Sequence, residues 1–330
     1  MSERYEPYKR IVVEAKKSNY QKFVDMYNSD RSVIDRSNIS LTKELGVSVR
    51  VIQTYKEKLR DATGLVYNHS KRMHITPEDK KEFPLEDGVP LTLKTHTIIG
   101  ARVLILSDIH FPYHNAEALL LALKYGRAKD IDTVILNGDI LDCYQISRFL
   151  HDTKKMSIKE EIEIWKSFAA MLRKYFPLAN IYFKEGNHEA RVYKYMMQNA
   201  AEMADLMDFD YLMGFQEFHI HYLQNNLFIK LGSLNILHGH EIQGGGINVA
   251  RSFFLKMGDN ILFGHFHRTQ EYIQNDMHKN IRGAWATGCL CLDQDYNPLS
   301  NSNLGFAYVE SNLDGTFIVE NKKIIKGQIV

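Results

Sequence analysis

Five short islands between Asp108 and His267 carry the residue types that hold metal ions. They read Ser-Asp-Ile-His (107–110), Asn-Gly-Asp-Ile-Leu-Asp (137–142), Glu-Gly-Asn-His-Glu (185–189), Leu-His-Gly-His (237–240) and Phe-Gly-His-Phe-His (263–267). Carboxylates, imidazoles and an amide in this mix suit a pair of divalent cations of the Mn, Fe or Zn kind. Asp108 and His110, one residue apart at a strand end, would project the same way and grip one cation together. Gly138 lets the backbone bend close to the site, and the two oxygens of Asp139 can bridge two cations. Asn187 offers an amide oxygen, while His188, its neighbour in the chain, points elsewhere, toward a substrate. His238, His265 and His267 complete the imidazoles.

These groups meet only if the elements before them converge. Each island follows an apolar run rich in β-branched or aromatic residues, and strand ends in an open α/β sheet gather on one rim. The pattern predicts strands at Arg102–Leu106, Thr133–Leu136 and Ile181–Phe183, with helices at Ala116–Arg127 and Ile158–Tyr175 between them. Such alternation implies parallel strands with crossover helices. A helix from Arg191 to about Met207 follows, then short strands at Leu234–Leu237 and Ile261–Phe263. His219 and His221 fall on a strand of the intervening insert. Beyond Arg268, strands near Gln270–Ile273, Gly305–Glu310 and Thr316–Glu320 read as hairpins of a second, mostly antiparallel layer.

The N-terminal part has a different grammar. Tyr8–Lys17 and Tyr20–Tyr27 look helical. Leu41–Leu45 forms a short helix, Gly46 supplies a turn, and Ser48 caps a second helix running to about Ala62. Ile52, Tyr55 and Leu59 share one face of that helix, whereas Arg50, Gln53, Thr54 and Glu57 share the opposite one. Two short helices joined through glycine resemble a helix-turn-helix, with Arg50, Gln53 and Thr54 as the residues that would face DNA. Protein docking and plain packing are the competing readings. Residues 1–72 hold 15 basic and 9 acidic side chains, against 26 and 31 in the remainder, so a basic head sits on a mildly acidic body. That balance suits a polyanion partner for the head. Pro77, Pro84, Gly88 and Pro90 punctuate a linker at 71–99, with room for a short strand near Leu91–Leu93.

The bulk composition narrows the class. No apolar run approaches a bilayer span, and the start lacks the apolar core of a secretory leader. The cysteines, Cys143, Cys289 and Cys291, form no disulfide pattern and read as packing residues in a reducing, cytoplasmic setting, with no membrane partner.

Taken together, the five islands resemble the calcineurin-like metallophosphoesterase superfamily. Its pattern is D-x-H, G-D-x-x-D, G-N-H-[DE], a histidine before glycine, and G-H-x-H; all are intact across roughly residues 100–310. The resemblance implies an α/β fold, a four-layer α/β/β/α sandwich over 100–330, joined here to a small all-α helix-turn-helix-like domain over 1–70. It implies that Asp108, His110 and His267 hold one metal and Asn187, His238 and His265 the other, with Asp139 bridging. His188 matches the non-ligand histidine that assists at the phosphate. Asp142 is read as orienting a ligand histidine, and Arg191, one turn past His188, as reaching a phosphate oxygen or facing solvent. His240 is the alternative to His238 as ligand; the motif favours His238. Mn²⁺ is the first expectation for the two divalent ions, with Fe, Zn, Ni or Co accepted by the same donors.

Two adjacent cations lower the pKa of water and neutralise charge growing on a phosphate. The Ser/Thr protein phosphatase branch is disfavoured, because Cys143-Tyr144 follows Asp142 and Glu185 precedes Gly186 where that branch carries arginines. The islands around His188 and His267 look most like phage-encoded members, which would work in the host cytoplasm. A head of this kind on such a hydrolase points to a DNA phosphodiesterase or nuclease. Hydrolysis of nucleotides or other small phosphoesters is the alternative, and a non-catalytic DNA-binding scaffold the third reading.

Overall fold

The computed structural model describes residues 18–63, 94–98, 101–148, 154–206, 208–224, 227–293 and 300–330, with Pro77 and Lys81 besides. The chain divides into two compact units, Met1–Val89 and Pro90–Val330. The helix expected at Tyr8–Lys17 lies outside the described residues.

In the first unit, α1 (Asn19–Ser29) is followed by a 3-10 turn (Arg31–Asp35), α2 (Asn38–Leu45) and α3 (Val49–Thr63). Short polar side chains start these elements: Ser18 accepts from Gln21 N, Asp30 from Ser32 N, and Ser37 from Ser40 N. Gly46 ends α2 in the left-handed conformation, φ 66°, which turns the chain into α3. Phe23, Tyr27, Val33, Ile34, Leu41, Ile52 and Leu59 form the unit's own core. Each such side chain contributes about 1.5–3 kcal/mol by leaving water. Lys56 is buried as well and donates from Nζ to Arg36 O at 2.5 Å. Arg50, Gln53, Thr54 and Glu57 are exposed on the opposite face of α3.

The second unit begins earlier than the composition suggests. Part of the segment read as a linker is β1 (Lys94–Ile98), an edge strand. Then come β2 (Arg102–Leu106), α4 (Ala116–Ala128), β3 (Thr133–Asn137), α5 (Ile158–Tyr175), β4 (Asn180–Lys184), α6 (Ala190–Asn199), α7 (Phe209–Met213), β5 (Ile220–Leu223), β6 (Leu227–Leu231), β7 (Leu234–Ile236), α8 (Val249–Met257), β8 (Ile261–Phe263), β9 (Gln270–Asn275), β10 (Ile281–Ala286), β11 (Gly305–Ser311), β12 (Phe317–Ile325) and β13 (Gln328–Ile329). A seven-stranded sheet runs β13-β12-β11-β2-β3-β4-β5 and a six-stranded sheet runs β1-β6-β7-β8-β10-β9. The strands β2 to β5 pair in parallel, as the alternation predicts.

Three expectations need correction. The second layer is mixed: β7, β8 and β10 pair in parallel, and only β6/β7 and β9/β10 are antiparallel. The strands near 305 and 316 join the first sheet instead, β11 antiparallel to β2 and β12 antiparallel to β11. The long helix from Arg191 stops at Asn199, where Ala200 leaves helical geometry (φ −156°, ψ 54°), and a 3-10 turn, Ala201–Leu206, carries the rest.

Alternation along the strands explains the layers. Leu104 and Leu106 point to the core shared with α4 and α5, whereas Val103 and Ile105 point to the core between the sheets, against Ile229, Ile236 and Leu262. The far face of the six-stranded sheet is covered by α8 through Val249, Phe253 and Phe254. The order is therefore helix, sheet, sheet, helix. Among the described residues no helix is long and apolar enough to cross a membrane.

Candidate metal centre

All five islands lie at the C-terminal ends of β2, β3, β4, β7 and β8, on one rim of the sandwich. Their backbone is not extended, however. Asp108, His110, Asp139, His265 and His267 all have φ between 52° and 66°. The shared direction of Asp108 and His110 thus comes from left-handed loop geometry rather than from strand alternation. Such conformations cost about 1–3 kcal/mol each and persist only where the surroundings enforce them. Here the first two loops are laced together: Asp108 N donates to Gly138 O, His110 N to Asp139 O and Asp142 N to Phe111 O. His265 N donates to the Asp108 carboxylate at 2.9 Å. The close approach requires Gly264, since a methyl group there would collide with that carboxylate.

The ligand atoms form two groups that share one carboxylate. Asp108, His110 and Asp139 lie mutually within 4.8 Å, as do Asp139, His238 and His265. His267 Nε2 is 3.3 Å from Asp108 Oδ1 and 3.2 Å from His110 Nε2. His238 Nε2 is 3.1 Å from Asp139 Oδ2 but without hydrogen-bond geometry. Among the described residues, Asn187 Oδ1, His238 Nε2 and His265 Nδ1 are buried and find no hydrogen-bond partner. Buried polar atoms are seldom left so, and His238 and His265, grouped with Asp139, are donors that suit a divalent cation. The donor set fits two divalent ions.

Groups behind the ligands set their tautomers. Asp142 Oδ1 lies 3.1 Å from His110 Nδ1, and Asn137 O accepts from His238 Nδ1 at 2.8 Å, so both rings turn Nε2 inward. His188 donates from Nδ1 to Asp142 O at 2.7 Å, and its Nε2 sits 3.7 Å from Asp139 Oδ2. Arg191 is half-buried; Nη1 donates to Asp142 O (2.9 Å) and Nη2 to His188 Nε2 (2.8 Å). His240, the alternative to His238, has its ring 3.6 Å from Glu241 and lies outside both ligand groups.

Electrostatics follow from crowding. Burial alone would raise Asp108, but His267 and His238 hold it down at about 2. Burial would lower His238, but Asp139 and Asp108 lift it to about 10. His188 is raised the same way: Asp139 and Asp142 outweigh its burial and Arg191. Burial drops His240 to about 4.

Several supporting residues carry no role in the sequence reading. The Glu189 carboxylate, buried, accepts from four backbone amides: Ile140 (2.7 Å), Leu141 (2.8 Å), Gly186 (2.9 Å) and Asp139 (3.1 Å). Its place in the third island was the available signal. Lys184, fully buried, pairs with Glu241 at 2.8 Å, and Glu241 accepts from the amides of His238 and Gly239. The pair ties the end of β4 to the loop after β7, across the two sheets. Cys291 Sγ lies 3.9 Å from His267 Nδ1, where packing was expected. Arg50, Gln53 and Thr54 belong to the other unit and are no part of this cluster.

The family model described as calcineurin-like phosphoesterase matches residues 101–280. The Gene 54 protein of Mycobacterium phage L5 is 27% identical over 184 residues, covering 52% of this chain and 70% of that protein. Among solved structures, Vacuolar Protein Sorting 29 from Cryptosporidium parvum aligns over 71% of this chain and 96% of its own, with 11% identity and a TM-score of 0.39. The E. coli phosphoesterase Yfce aligns over 67% and 98%, with 13% identity and a TM-score of 0.31.

Proposed function

Because the chain belongs to the calcineurin-like phosphoesterase family, we propose that it cleaves phosphodiester bonds of DNA. The observation that carries this reading is the combination, in one chain, of two ligand groups sharing Asp139 and a helical unit whose α3 exposes Arg50, Gln53 and Thr54. Asp108, His110, Asp139 and His267 would hold one divalent cation, and Asp139, Asn187, His238 and His265 the other, Mn²⁺ being our choice for both. Bound there, the ions supply Lewis acidity that neutralises phosphate charge and lowers the pKa of attacking water.

The remaining chemistry belongs to the protein. With Nδ1 held on Asp142 O, His188 would use Nε2 to pass a proton to the departing ester oxygen once Arg191 has left that nitrogen. Asp139 and Asp142 favour the protonated ring. Arg191, next to that nitrogen, is the side chain a non-bridging phosphate oxygen would draw away. The exposed face of α3 would hold the duplex, with Arg50 and Gln53 suited to base edges and Thr54 to base or backbone.

The test offers the Mn²⁺-loaded full chain bis-p-nitrophenyl phosphate, p-nitrophenyl phosphate and linear duplex DNA side by side. Turnover of the diester and of DNA is expected. Turnover of the monoester alone, with DNA untouched, would end the DNA reading and leave a small-phosphoester phosphatase.

A further inference from the structure

We propose that Glu161 is a positioning residue for the proton donor: through the peptide that joins Asp142 to Cys143, it holds His188 in place for the departing ester oxygen. The inference rests on the phosphoesterase reading, with His188 as its acid, and not on DNA being the substrate.

Glu161 stands in the first turn of α5 beside Glu160, and the two side chains serve different partners. Glu160 is exposed and completes the capping box, accepting from Ser157 N and Ser157 Oγ. Glu161 is buried, and its Oε2 accepts from Cys143 N at 2.8 Å. That amide and the carbonyl Asp142 O belong to one peptide group. At the carbonyl end, Asp142 O accepts from His188 Nδ1 at 2.7 Å and from Arg191 Nη1 at 2.9 Å. In a trans peptide the N–H and C=O point in opposite directions. Carboxylate, peptide and imidazole therefore form one chain of hydrogen bonds.

The backbone explains why the peptide needs holding. Cys143 has φ 50° and ψ 40°, the left-handed region that a residue with a β-carbon enters only at a cost. Turning the 142–143 peptide over would return Cys143 to negative φ and swing Asp142 O away from His188 and Arg191. Glu161 holds the amide against that flip. Cys143 also precedes a 3-10 turn, Tyr144–Ile146, and gives it no side-chain cap, so the start of that turn leans on the same carboxyl group. Burial pushes that group up to about 7. Protonated or not, it keeps an oxygen that can accept from the amide.

The leaving group separates positioning from plain support. p-Nitrophenolate departs without a proton, whereas phenolate leaves far better with one, so help from His188 shows mainly on a phenyl ester. The Mn²⁺-loaded full chain is offered methyl p-nitrophenyl phosphate and methyl phenyl phosphate. Glu161→Ala should lower kcat on the phenyl ester by about tenfold or more and on the p-nitrophenyl ester by less than about threefold, with KM little changed. Glu161→Gln, whose amide oxygen can still accept, should keep close to the wild-type ratio of the two rates. In a His188→Ala background, Glu161→Ala should leave that ratio where His188→Ala alone puts it. Equal losses on both esters, or a further change of ratio once His188 is gone, would overturn the assignment while sparing the phosphoesterase reading. If Glu161→Ala does not fold, Glu161→Asp tests the same point. It keeps the carboxylate but draws it back by one methylene, and should shift the ratio in the same direction; an unchanged ratio would overturn the assignment. No hydrolysis of either ester by the wild type would bring down reading and assignment together.

Discussion

The metal centre and the exposed face of α3 are built on opposite plans. At the centre several candidate ligands have a group behind them: Asp142 behind His110, Asn137 behind His238, and Glu189 under the loop that carries Asp139. On α3, Arg50, Gln53 and Thr54 are exposed, and Thr54 Oγ1 donates to Arg50 O one turn back along the same helix. On the DNA reading proposed above, the difference reflects what each would have to do. Chemistry at phosphorus needs donors fixed before substrate arrives, because ordering them during the reaction would cost rate. A surface that meets a polyanion can be ordered by the partner itself.

If that contrast is right, the largest loss comes from the shared carboxylate. Asp139→Asn should lower diester turnover by about a thousandfold, on the scale of several kcal/mol for metal-assisted catalysis. Duplex binding, followed by fluorescence anisotropy, should stay within a factor of two or so; a matching loss of binding would erase the distinction between the regions. Next in size is Glu189→Ala, which strips the acceptor from four amides. It should destabilise the chain by about 3–5 kcal/mol, read by urea denaturation, whereas a loss under 1 kcal/mol or so would mean that the lacing of the loops is self-sufficient.

A smaller effect, with a defined pH window, belongs to Glu241. Burial would raise its carboxyl, yet Lys184 and His240 hold it at about 2, below its ordinary 4.5. A depressed folded-state value contributes stability above 4.5 and loses it as pH falls toward 2. Glu241→Gln should therefore be less stable than wild type at pH 7, with the gap closing between about 4.5 and 2. A gap independent of pH would show that the pair contributes packing and not charge.

The smallest effect is on α3. Arg50→Ala or Gln53→Ala should weaken duplex affinity by about 1–3 kcal/mol and leave hydrolysis of bis-p-nitrophenyl phosphate unchanged. Affinity should also fall steeply with salt. Unaltered, salt-independent binding would hand the face to a protein partner.

Much of the first sheet was legible because its strands are short, apolar and separated by helices with clear signals, such as Ser157 and Glu160 capping α5. The second sheet was legible only in part: β7, β8 and β9 were expected at about their places, but β6 and β10 were not. Phe228, Ile229 and Leu231 share β6 with Lys230, and β10 carries Arg282 and Gly283, so neither shows a clean period. Strand β12 runs on through Asn321, Lys322 and Lys323 because pairing with β11, not side-chain type, sustains it. At the centre, the ligand residues stood out by type and spacing. Their supports did not, since a carbonyl such as Asn137 O, or a buried pair such as Lys184 and Glu241, carries no sequence mark. The left-handed backbone at Asp108 and His110 was equally invisible, because L-residues rarely adopt it and only the tertiary lacing demands it.

The claim beneath all of this is that two ligand groups close on two ions through Asp139. Titrating the metal-free chain with Mn²⁺, and counting bound metal by elemental analysis after gel filtration, tests it without reference to substrate. Two equivalents per chain are predicted, falling in Asp139→Asn to one or none. One equivalent in the wild type, or two retained in Asp139→Asn, would contradict it.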